Sequence, residues 1–169
     1  YEKIFEGKAV DVSQCFVKDF SLPAYRAKYK LRANQRIDLI DFTANDALFE
    51  SERTVDFSLA NFTGKKADFS NTHFGSGNLS FLKAEFGDFP VSFKGTSYSE
   101  GNNNFQYAKF KNGRVTFENS TFENGNLSFI NTNFGDGNVS FKNVHFGNGE
   151  PAGFSHHRAF CCDLRRVLW

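Results

Sequence analysis

Residues 126–149 read NLSFINTNFGDGNVSFKNVHFGNG, and this stretch decides the fold. It places Phe129, Phe134, Phe141 and Phe146 at successive gaps of five, seven and five residues. The same alternation continues towards the N terminus without exception and makes eight copies of a 12-residue unit. The aromatic residues of the eight units are Phe57, Phe62, Phe69, Phe74, Phe81, Phe86, Phe93, Tyr98, Phe105, Phe110, Phe117, Phe122, Phe129, Phe134, Phe141 and Phe146. This regularity predicts a repeat architecture with equivalent core positions.

Small and aliphatic residues keep the same phase as the aromatic residues. From Ala67 onwards they stand two positions before each aromatic residue, with Asn103 as the one polar exception. A spacing of two puts both side chains on one face of an extended strand, which a helix would not do. Glycine recurs inside the seven-residue gaps, and we expect it to occupy turns with positive φ. These glycines are Gly77, Gly101, Gly113, Gly125, Gly137 and Gly149.

Two 12-residue units are expected to close one coil. A 12-residue coil would hold only two Phe rings in a very narrow interior, whereas a 24-residue coil holds four, one on each side. A period of 24 also stacks Glu85 on Lys109, and opposite charges on neighbouring rungs stabilise a ladder. The sequence therefore predicts an all-β fold, a parallel β-solenoid with a 24-residue coil and with the Phe side chains inside.

The outward columns differ at this period. The residue after the first Phe of each unit forms one column of Ser70, Lys94, Glu118 and Lys142 and a second column of Ser58, Leu82, Gln106 and Ile130. The first column is charged with alternating sign, and the second gathers an apolar pair. Both patterns favour the period of 24 residues.

The regular repeat does not cover the two ends of the chain. Residues 1–36 are predicted to form an N-terminal cap, with a helix that starts near Pro23. Residues 37–150 are predicted to form the solenoid, and its first, imperfect turn reads RIDLIDFTANDALF. Residues 151–169 are predicted to form a C-terminal cap or tail, because Phe160, Leu164 and Leu168 fall at helical spacing.

The repeat unit resembles the pentapeptide-repeat family, in its Phe-rich branch. The segments ANFTG at 60–64 and ADFSN at 67–71 match the family pattern of a small residue, Asp or Asn, and then Leu or Phe, and AEFGD at 84–88 follows it with Glu at the second position. The resemblance covers about residues 55–149 and implies a right-handed, quadrilateral β-helix. The two extra residues in every second unit depart from the family pattern and should widen two corners of each coil.

The family includes gyrase-protecting DNA mimics, toxin immunity factors and targeting modules of bacterial effector proteins. A DNA mimic needs a strongly acidic surface, but residues 55–149 contain eight acidic and eight basic side chains. We therefore expect a non-enzymatic interaction or scaffold module that presents a rigid rod to another protein. The alternative is a targeting or spacer part of a bacterial effector or toxin, whose catalytic region is the tail or lies outside this chain. A gyrase-protecting DNA mimic is the least favoured option.

The candidate binding residues form one basic run. Its members are Arg26, Lys28, Lys30, Arg32 and Arg36. With Tyr25 and Tyr29 between them they suit an acidic partner, although such a run is commonly the solvated face of a helix. An end-to-end dimer of the rod is a further expectation.

Few residues of the chain form a group that could bind a metal ion or take part in catalysis. The tail holds His156, His157, Cys161, Cys162 and Asp163, but adjacent ligands rarely wrap one zinc ion and no CxxC spacing is present. The segment GDGNVSF at 135–141 is reminiscent of calcium-binding β-rolls, yet the carboxylate of Asp136 is not repeated in most units, and corner turns explain it better. We expect no catalytic residue, metal or cofactor.

Composition and charge limit the classes of partner and the cellular compartment. The formal net charge of +1 offers no electrostatic attraction for nucleic acid or an anionic membrane. No stretch approaches the length of a membrane span, and the first residues do not form a secretory signal. Three cysteines make no disulfide framework. These features leave the compartment open and slightly favour the cytoplasm.

Overall fold

The computed structural model describes residues 1–98, 100–148 and 151–152. Its two helices are α1 (Glu2–Phe5) and α2 (Leu22–Lys28). The strands in chain order are β1 (Ala9–Asp11), β2 (Phe16–Lys18), β3 (Ile37–Thr43), β4 (Leu48–Glu50), β5 (Thr54–Asp56), β6 (Ala60–Asp68), β7 (His73–Phe74), β8 (Asn78–Ser80), β9 (Glu85–Phe86), β10 (Val91–Ser92), β11 (Ser97–Tyr98), β12 (Asn103–Asn104), β13 (Lys109–Phe110), β14 (Val115–Thr116), β15 (Thr121–Phe122), β16 (Leu127–Ser128), β17 (Val139–Ser140), β18 (His145–Phe146) and β19 (Pro151–Ala152).

All the strand pairings of the described residues are parallel, and the strands stack into a β-solenoid of about five coils. Strand β10 pairs with β14 at Val91 and Val115, and β8 pairs with β12 at Leu79 and Asn103, so both pairs are one 24-residue period apart. Each regular coil has four short strands, as in β8, β9, β10 and β11. The predicted parallel solenoid with a 24-residue coil is confirmed, and a 12-residue unit is half a coil.

Each coil has two narrow corners, where the chain turns within the five-residue gap between aromatic residues. The residue two positions after the first Phe of each unit is left-handed there, with φ between 54° and 65°. These residues are Leu59, Asn71, Lys83, Gly95, Tyr107, Asn119, Asn131 and Asn143. The turn is closed by a hydrogen bond such as that from the Ala84 amide to the Phe81 carbonyl. A left-handed residue every 12 positions therefore folds the chain at these corners.

The expectation of positive φ at the glycines of the wide corners is wrong for the five that the structure describes, Gly77, Gly101, Gly113, Gly125 and Gly137. They are required for a different reason. A Cβ atom at Gly125 would overlap the carbonyl oxygen of Gly101 in the preceding coil, and a Cβ atom at Gly137 would overlap that of Gly113. Glycine permits the backbones of successive wide corners to stack in close contact.

The core is built from four columns of aromatic rings. Neighbouring rings in a column lie 4.1–5.6 Å apart between centroids, at interplanar angles of at most 32°. Fifteen of the 16 repeat aromatic residues are buried, and Phe146 in the last described coil is partly buried. Each buried Phe contributes about 2 to 3 kcal/mol of transfer free energy. Ring packing adds about 1 kcal/mol per pair.

The N-terminal end of the rod is closed by α2 and the residues around it. Ser21 caps this helix by accepting a hydrogen bond from the Ala24 amide, and Pro23 lies in its first turn, as predicted. Phe20 stacks on Phe57 at 4.5 Å and so covers one ring column, while Leu22 is fully buried. This packing shields the first coil from solvent.

The parallel ladder begins N-terminal to residue 37. Strand β1 pairs with β3, and β2 pairs with β4 at Phe16 and Leu48, farther apart than one regular period because α2 and its flanks are inserted in this first coil. Between β3 and β6 the register shifts after Ile40, so that Phe42 pairs with Ala67. The register shift lies in the segment that the sequence predicts to form an imperfect first turn.

The predicted C-terminal cap, with Phe160, Leu164 and Leu168, lies outside the described residues. So do the tail residues His156, His157, Cys161, Cys162 and Asp163. Among the described residues, no helix is long and apolar enough to cross a membrane.

Candidate functional site

The five residues of the basic run predicted for partner binding differ in their exposure to solvent. Arg26 is 3% exposed, and its guanidinium donates hydrogen bonds to the carbonyl oxygens of Gln35 (2.6 Å) and Ser58 (2.7 Å). Desolvation lowers the pKa of Arg26, and the nearby Asp56 carboxylate opposes that shift. Arg26 therefore ties α2 to the first coil and is not available to a partner.

The other four basic residues lie nearer to solvent. Arg36 donates to the carbonyl oxygen of Lys83 and forms an ion pair with Glu85 at 2.9 Å, so it is largely used inside the fold. The side chains of Lys28, Lys30 and Arg32 are exposed. Lys28 lies 5.5 Å from the ring centroid of Tyr29, where the ring quadrupole attracts its charge. Three of the five predicted residues thus remain accessible on the N-terminal cap.

One narrow corner carries a row of large side chains along the rod. We call it the apolar corner, and it consists of residues 58–59, 82–83, 106–107 and 130–131. Each coil contributes one bulky side chain, and Tyr107 and Ile130 are 47% and 41% exposed. Leu59 and Leu82 are half-buried in the two preceding coils. Large apolar side chains therefore follow one another along four coils.

The opposite narrow corner is polar throughout. We call it the polar corner, and it consists of residues 70–71, 94–95, 118–119 and 142–143. The Asn143 side chain donates to the Asn119 carboxamide oxygen at 3.1 Å, and Asn71 donates in the same way to Asp46. Such amide ladders stabilise stacked rungs. These hydrogen bonds link successive coils at the polar corner.

The two corners differ in how well their residues suit the backbone. The left-handed positions of the polar corner hold Asn71, Gly95, Asn119 and Asn143, which are residue types that tolerate this conformation. The left-handed positions of the apolar corner include Leu59, Lys83 and Tyr107. A bulky side chain there costs roughly 1 kcal/mol or more, because Cβ approaches the following carbonyl oxygen. The apolar corner therefore carries strain that the polar corner avoids.

The layer beneath each corner also differs. Under the polar corner the buried hydroxyls of Thr72, Thr96 and Ser120 donate to carbonyl oxygens of the preceding coil, at 2.6–2.9 Å. Under the apolar corner the equivalent positions hold fully buried alanines in three coils. These are Ala60, Ala84 and Ala108, and Thr132 follows them with a bond to the Phe105 carbonyl. The polar corner thus has hydrogen bonds between coils that most of the apolar corner lacks.

Charged residues flank the apolar corner on one side. The column beside it contains Asn61, Glu85, Lys109 and Asn133, and Lys109 lies 3.5 Å from Glu85, as the 24-residue period predicts. On the polar corner, Glu118 accepts a hydrogen bond from Ser140 at 2.7 Å. That bond is the main cause of its lowered pKa, with a smaller contribution from Arg114. Glu85 and Glu118 are therefore both partly exposed, and each is paired with a basic residue.

The acidic and amide side chains of the wide corners bond the backbone of the next coil. The Asp88 carboxylate accepts a hydrogen bond from the Asn112 amide at 3.0 Å, and Asn124 accepts one from Asn148 at 3.3 Å. Among the residues that the structure describes, no three His, Cys, Asp or Glu side chains are grouped to hold a metal ion. The position of Asp136 in its unit is equivalent to that of Asp88, and corner turns account for such residues.

A shallow groove of about 340 Å³ lies beside the wide corner that follows β9. Its lining includes Asn61, Glu85, Asp88, Phe89 and Lys111. Glu85 is already paired with two cations, and Asp88 accepts a backbone amide. Both carboxylates that line the groove are therefore engaged within the fold.

The strained residues of the apolar corner are the feature that sequence reasoning missed. The signal is visible in the repeat, because the position two after the first Phe is Asn or Gly in five of eight units. Leu59, Lys83 and Tyr107 are the three departures from this preference.

Comparison with known proteins assigns no family or function, since no family model, curated protein or solved structure matches the chain.

Proposed function

We propose that this protein is a non-enzymatic interaction module and that the apolar corner is its docking surface for another protein. The observation that carries the proposal is the strain at Leu59, Lys83 and Tyr107. Non-glycine residues in rare backbone conformations persist where the surrounding structure holds them, and they cluster at functional sites. Here the fold would be more stable with Asn or Gly at each of the three positions.

The chemistry of the apolar corner suits protein binding. Tyr is enriched in the centre of protein interfaces, because it offers a large, stiff surface at low entropic cost. Tyr107 stands in the third of the four coils, with Lys83 at 6.0 Å from its ring and with Ile130 in the next coil. Successive coils lie about 4.8 Å apart, so the four coils span about 15 Å. A partner would contact this row with a flat or extended apolar surface.

The experiment compares matched variants of the two corners. The full chain is immobilised and its bound proteins are identified by mass spectrometry, alongside Leu82→Ser/Tyr107→Asn/Ile130→Ser as the docking variant. The control variant is Lys94→Ser/Glu118→Ser/Lys142→Ser on the polar corner. We expect the docking variant to lose a partner that the wild type and the control both retain. A partner lost only by the polar-corner variant contradicts the proposal.

A second candidate surface is the N-terminal cap, because Lys28, Lys30 and Arg32 remain exposed beside Tyr29. An acidic protein partner would suit this patch. The substitution of all three basic residues by Ser tests it in the same pull-down. A spacer or targeting role within a bacterial effector follows if the apolar corner, the polar corner and the cap are all dispensable for binding. Gyrase protection by DNA mimicry stays disfavoured by the balanced charge.

We also propose that the chain is a divergent pentapeptide-repeat protein. Support comes from ANFTG at 60–64 and ADFSN at 67–71, which match the family pattern and follow each other along β6 and the residues directly after it. Ala60 and Phe62, and likewise Ala67 and Phe69, are fully buried, as the pattern requires of its small and aromatic positions. The wide corners with their glycines are the main departure, and they account for a repeat unit that is longer than two pentapeptides.

A further inference from the structure

We propose that the partner at the apolar corner is a second copy of this chain, packed side by side and antiparallel to the first. This inference rests on the proposed function, since it names the occupant of the same surface. It differs from the end-to-end dimer expected from the sequence, because it uses the side of the rod and leaves both ends free.

The charges beside the apolar corner are self-complementary under one symmetry operation. Glu85 and Lys109 occupy the same column in adjacent coils. A two-fold axis that passes between two antiparallel rods, perpendicular to both and level with the midpoint between these coils, places Glu85 opposite the partner's Lys109 and Lys109 opposite the partner's Glu85. A two-fold interface requires such matching, because each contact occurs twice. One operation therefore adds two intermolecular ion pairs to the pairs that Glu85 makes with Arg36 and Lys109 of its own chain, because the side chains of Glu85 and Lys109 both reach solvent.

The same operation matches the left-handed column of the apolar corner. It places Lys83 over the ring of the partner's Tyr107, and Tyr107 under the partner's Lys83. The two residues are already compatible within one chain, where the Lys83 ammonium lies 6.0 Å from the Tyr107 ring centroid. In the outermost coils Leu59 comes close to the partner's Ile130. Both the cation–π contacts and the apolar contacts are thus reciprocal.

The parallel arrangement of two rods is much less favourable. A two-fold axis along the rod keeps each coil at the same height in both copies. Lys83 would then face the partner's Lys83 across the corner, and the two columns that contain Glu85 and Lys109 would lie on opposite sides of the interface, where they form no ion pairs between the copies. Like charges in contact disfavour an interface and select against that geometry. The charge pattern therefore specifies the antiparallel orientation.

The size of the corner sets the strength of the dimer. Four coils span about 15 Å along the rod, which is a small contact compared with the roughly 800 Å² per partner of a stable interface. Ion pairs at its edge are screened by salt. We therefore expect a reversible dimer that forms at high protein concentration and weakens as ionic strength rises.

The test uses charge reversal and sedimentation velocity of the full chain over a wide range of concentration. Glu85→Lys leaves only positive charge in the column beside the corner, and Lys109→Glu leaves only negative charge. We expect each single variant to stay monomeric at concentrations where the wild type dimerises. An equimolar mixture of the two variants should form a heterodimer, because every pair is then between opposite charges. The double variant should dimerise again.

The mixture keeps the test independent of any loss of fold, because misfolded single variants would not rescue each other. Lys94→Glu and Glu118→Lys on the polar corner are the matched controls, and both should dimerise like the wild type. A wild type that stays monomeric at all concentrations overturns the inference. So does a dimer that neither single variant weakens, which would indicate end-to-end association. In either case a partner lost in the pull-down would still support the proposed function.

Discussion

At the polar corner the left-handed positions hold Asn71, Gly95, Asn119 and Asn143, whereas the apolar corner holds Leu59, Lys83, Tyr107 and Asn131 at the equivalent positions. The backbone has the same conformation at both corners, with φ near 55° at most of these residues. Only the side chains differ. The solenoid therefore tolerates a large change in surface chemistry at constant backbone, at a cost in conformational strain on one side.

The difference is also present in the layer below the surface, where hydroxyls support the polar corner and alanines lie under most of the apolar corner. The aromatic columns beneath both corners are alike in spacing. Neighbouring rings lie 4.8–4.9 Å apart from Phe57 to Phe129 and 4.8–5.0 Å apart from Phe69 to Phe141. The aromatic columns thus follow the 12-residue repeat, whereas the surface and the buried layer next to it follow only the 24-residue repeat.

The largest expected effect tests whether the core is the same on both sides. Phe105 lies beneath the apolar corner and Phe117 beneath the polar corner, and both are fully buried. Phe105→Asp and Phe117→Asp should each destabilise the rod by more than about 4 kcal/mol, because a carboxylate would be stranded among rings. Circular dichroism during thermal unfolding measures both losses. Clearly unequal losses would show that the core is not equivalent under the two corners.

A smaller effect separates the two kinds of corner glycine. Gly125→Ala should cost about 2 to 3 kcal/mol, since the new Cβ would overlap the backbone carbonyl of Gly101 and the coils cannot move apart freely. Gly95→Ala should cost only about 1 kcal/mol for its positive φ, because the atom it would meet is the end of the Asn71 side chain. Chemical denaturation measures the difference. The reverse order would mean that the wide corners accommodate a Cβ atom and that close stacking does not select glycine there.

The third prediction concerns a buried hydroxyl next to the polar corner. Tyr98 is fully buried, and its hydroxyl has no hydrogen-bond partner among the described residues, while the neighbouring Thr96 hydroxyl donates to Phe69. Tyr98→Phe should stabilise the protein by about 1 kcal/mol, because the desolvated hydroxyl is removed. Denaturant unfolding at neutral pH measures this gain. Unchanged or lower stability would mean that the hydroxyl is satisfied in solution.

The same variant has a pH signature. Burial raises the pKa of Tyr98 well above 10.0. The unfolded chain therefore loses this proton more readily than the folded chain, so that wild-type stability falls as the pH rises through 10. The decline should be shallower in Tyr98→Phe. Equal decline in both proteins would assign the alkaline sensitivity to other groups.

Much of the fold is predictable from the aromatic period alone. The alternating gaps of five and seven, together with small residues two positions before the rings, predict short extended segments that turn all rings inward, as in a parallel solenoid. The stack of Glu85 on Lys109 then selects the 24-residue coil. Strands β1 and β2 carry no repeat signal, because their place in the ladder depends on long-range pairing across the α2 insertion.

The candidate site was less accessible to sequence reasoning. The basic run includes Arg26, whose burial depends on two carbonyl groups that the fold brings to it from Gln35 and Ser58. The apolar pair of Leu82 and Ile130 is visible in the 24-residue column, but the strain at Tyr107 is a property of the backbone. The strain can be recognised only when the backbone conformation at residue 107 is known, and the pattern of side chains does not reveal that conformation.

The smallest expected effect exchanges residues between the corners. Tyr107→Asn should stabilise the monomer by about 0.5 to 1 kcal/mol, and Asn119→Tyr should destabilise it by about the same amount, because Asn suits the left-handed conformation. Thermal unfolding of both variants measures the two shifts. A destabilised Tyr107→Asn would mean that Tyr107 serves the fold, and the strain would no longer point to a docking surface.

The two-unit coil also limits how a gene for such a rod can grow. Duplication of a single 12-residue unit would preserve the aromatic spacing and the core, yet it would turn all later units by half a revolution. The row of large side chains would then break off and continue on the far side of the rod. Lengthening by a pair of units extends both surfaces intact, so recombination that conserves binding must proceed in whole coils.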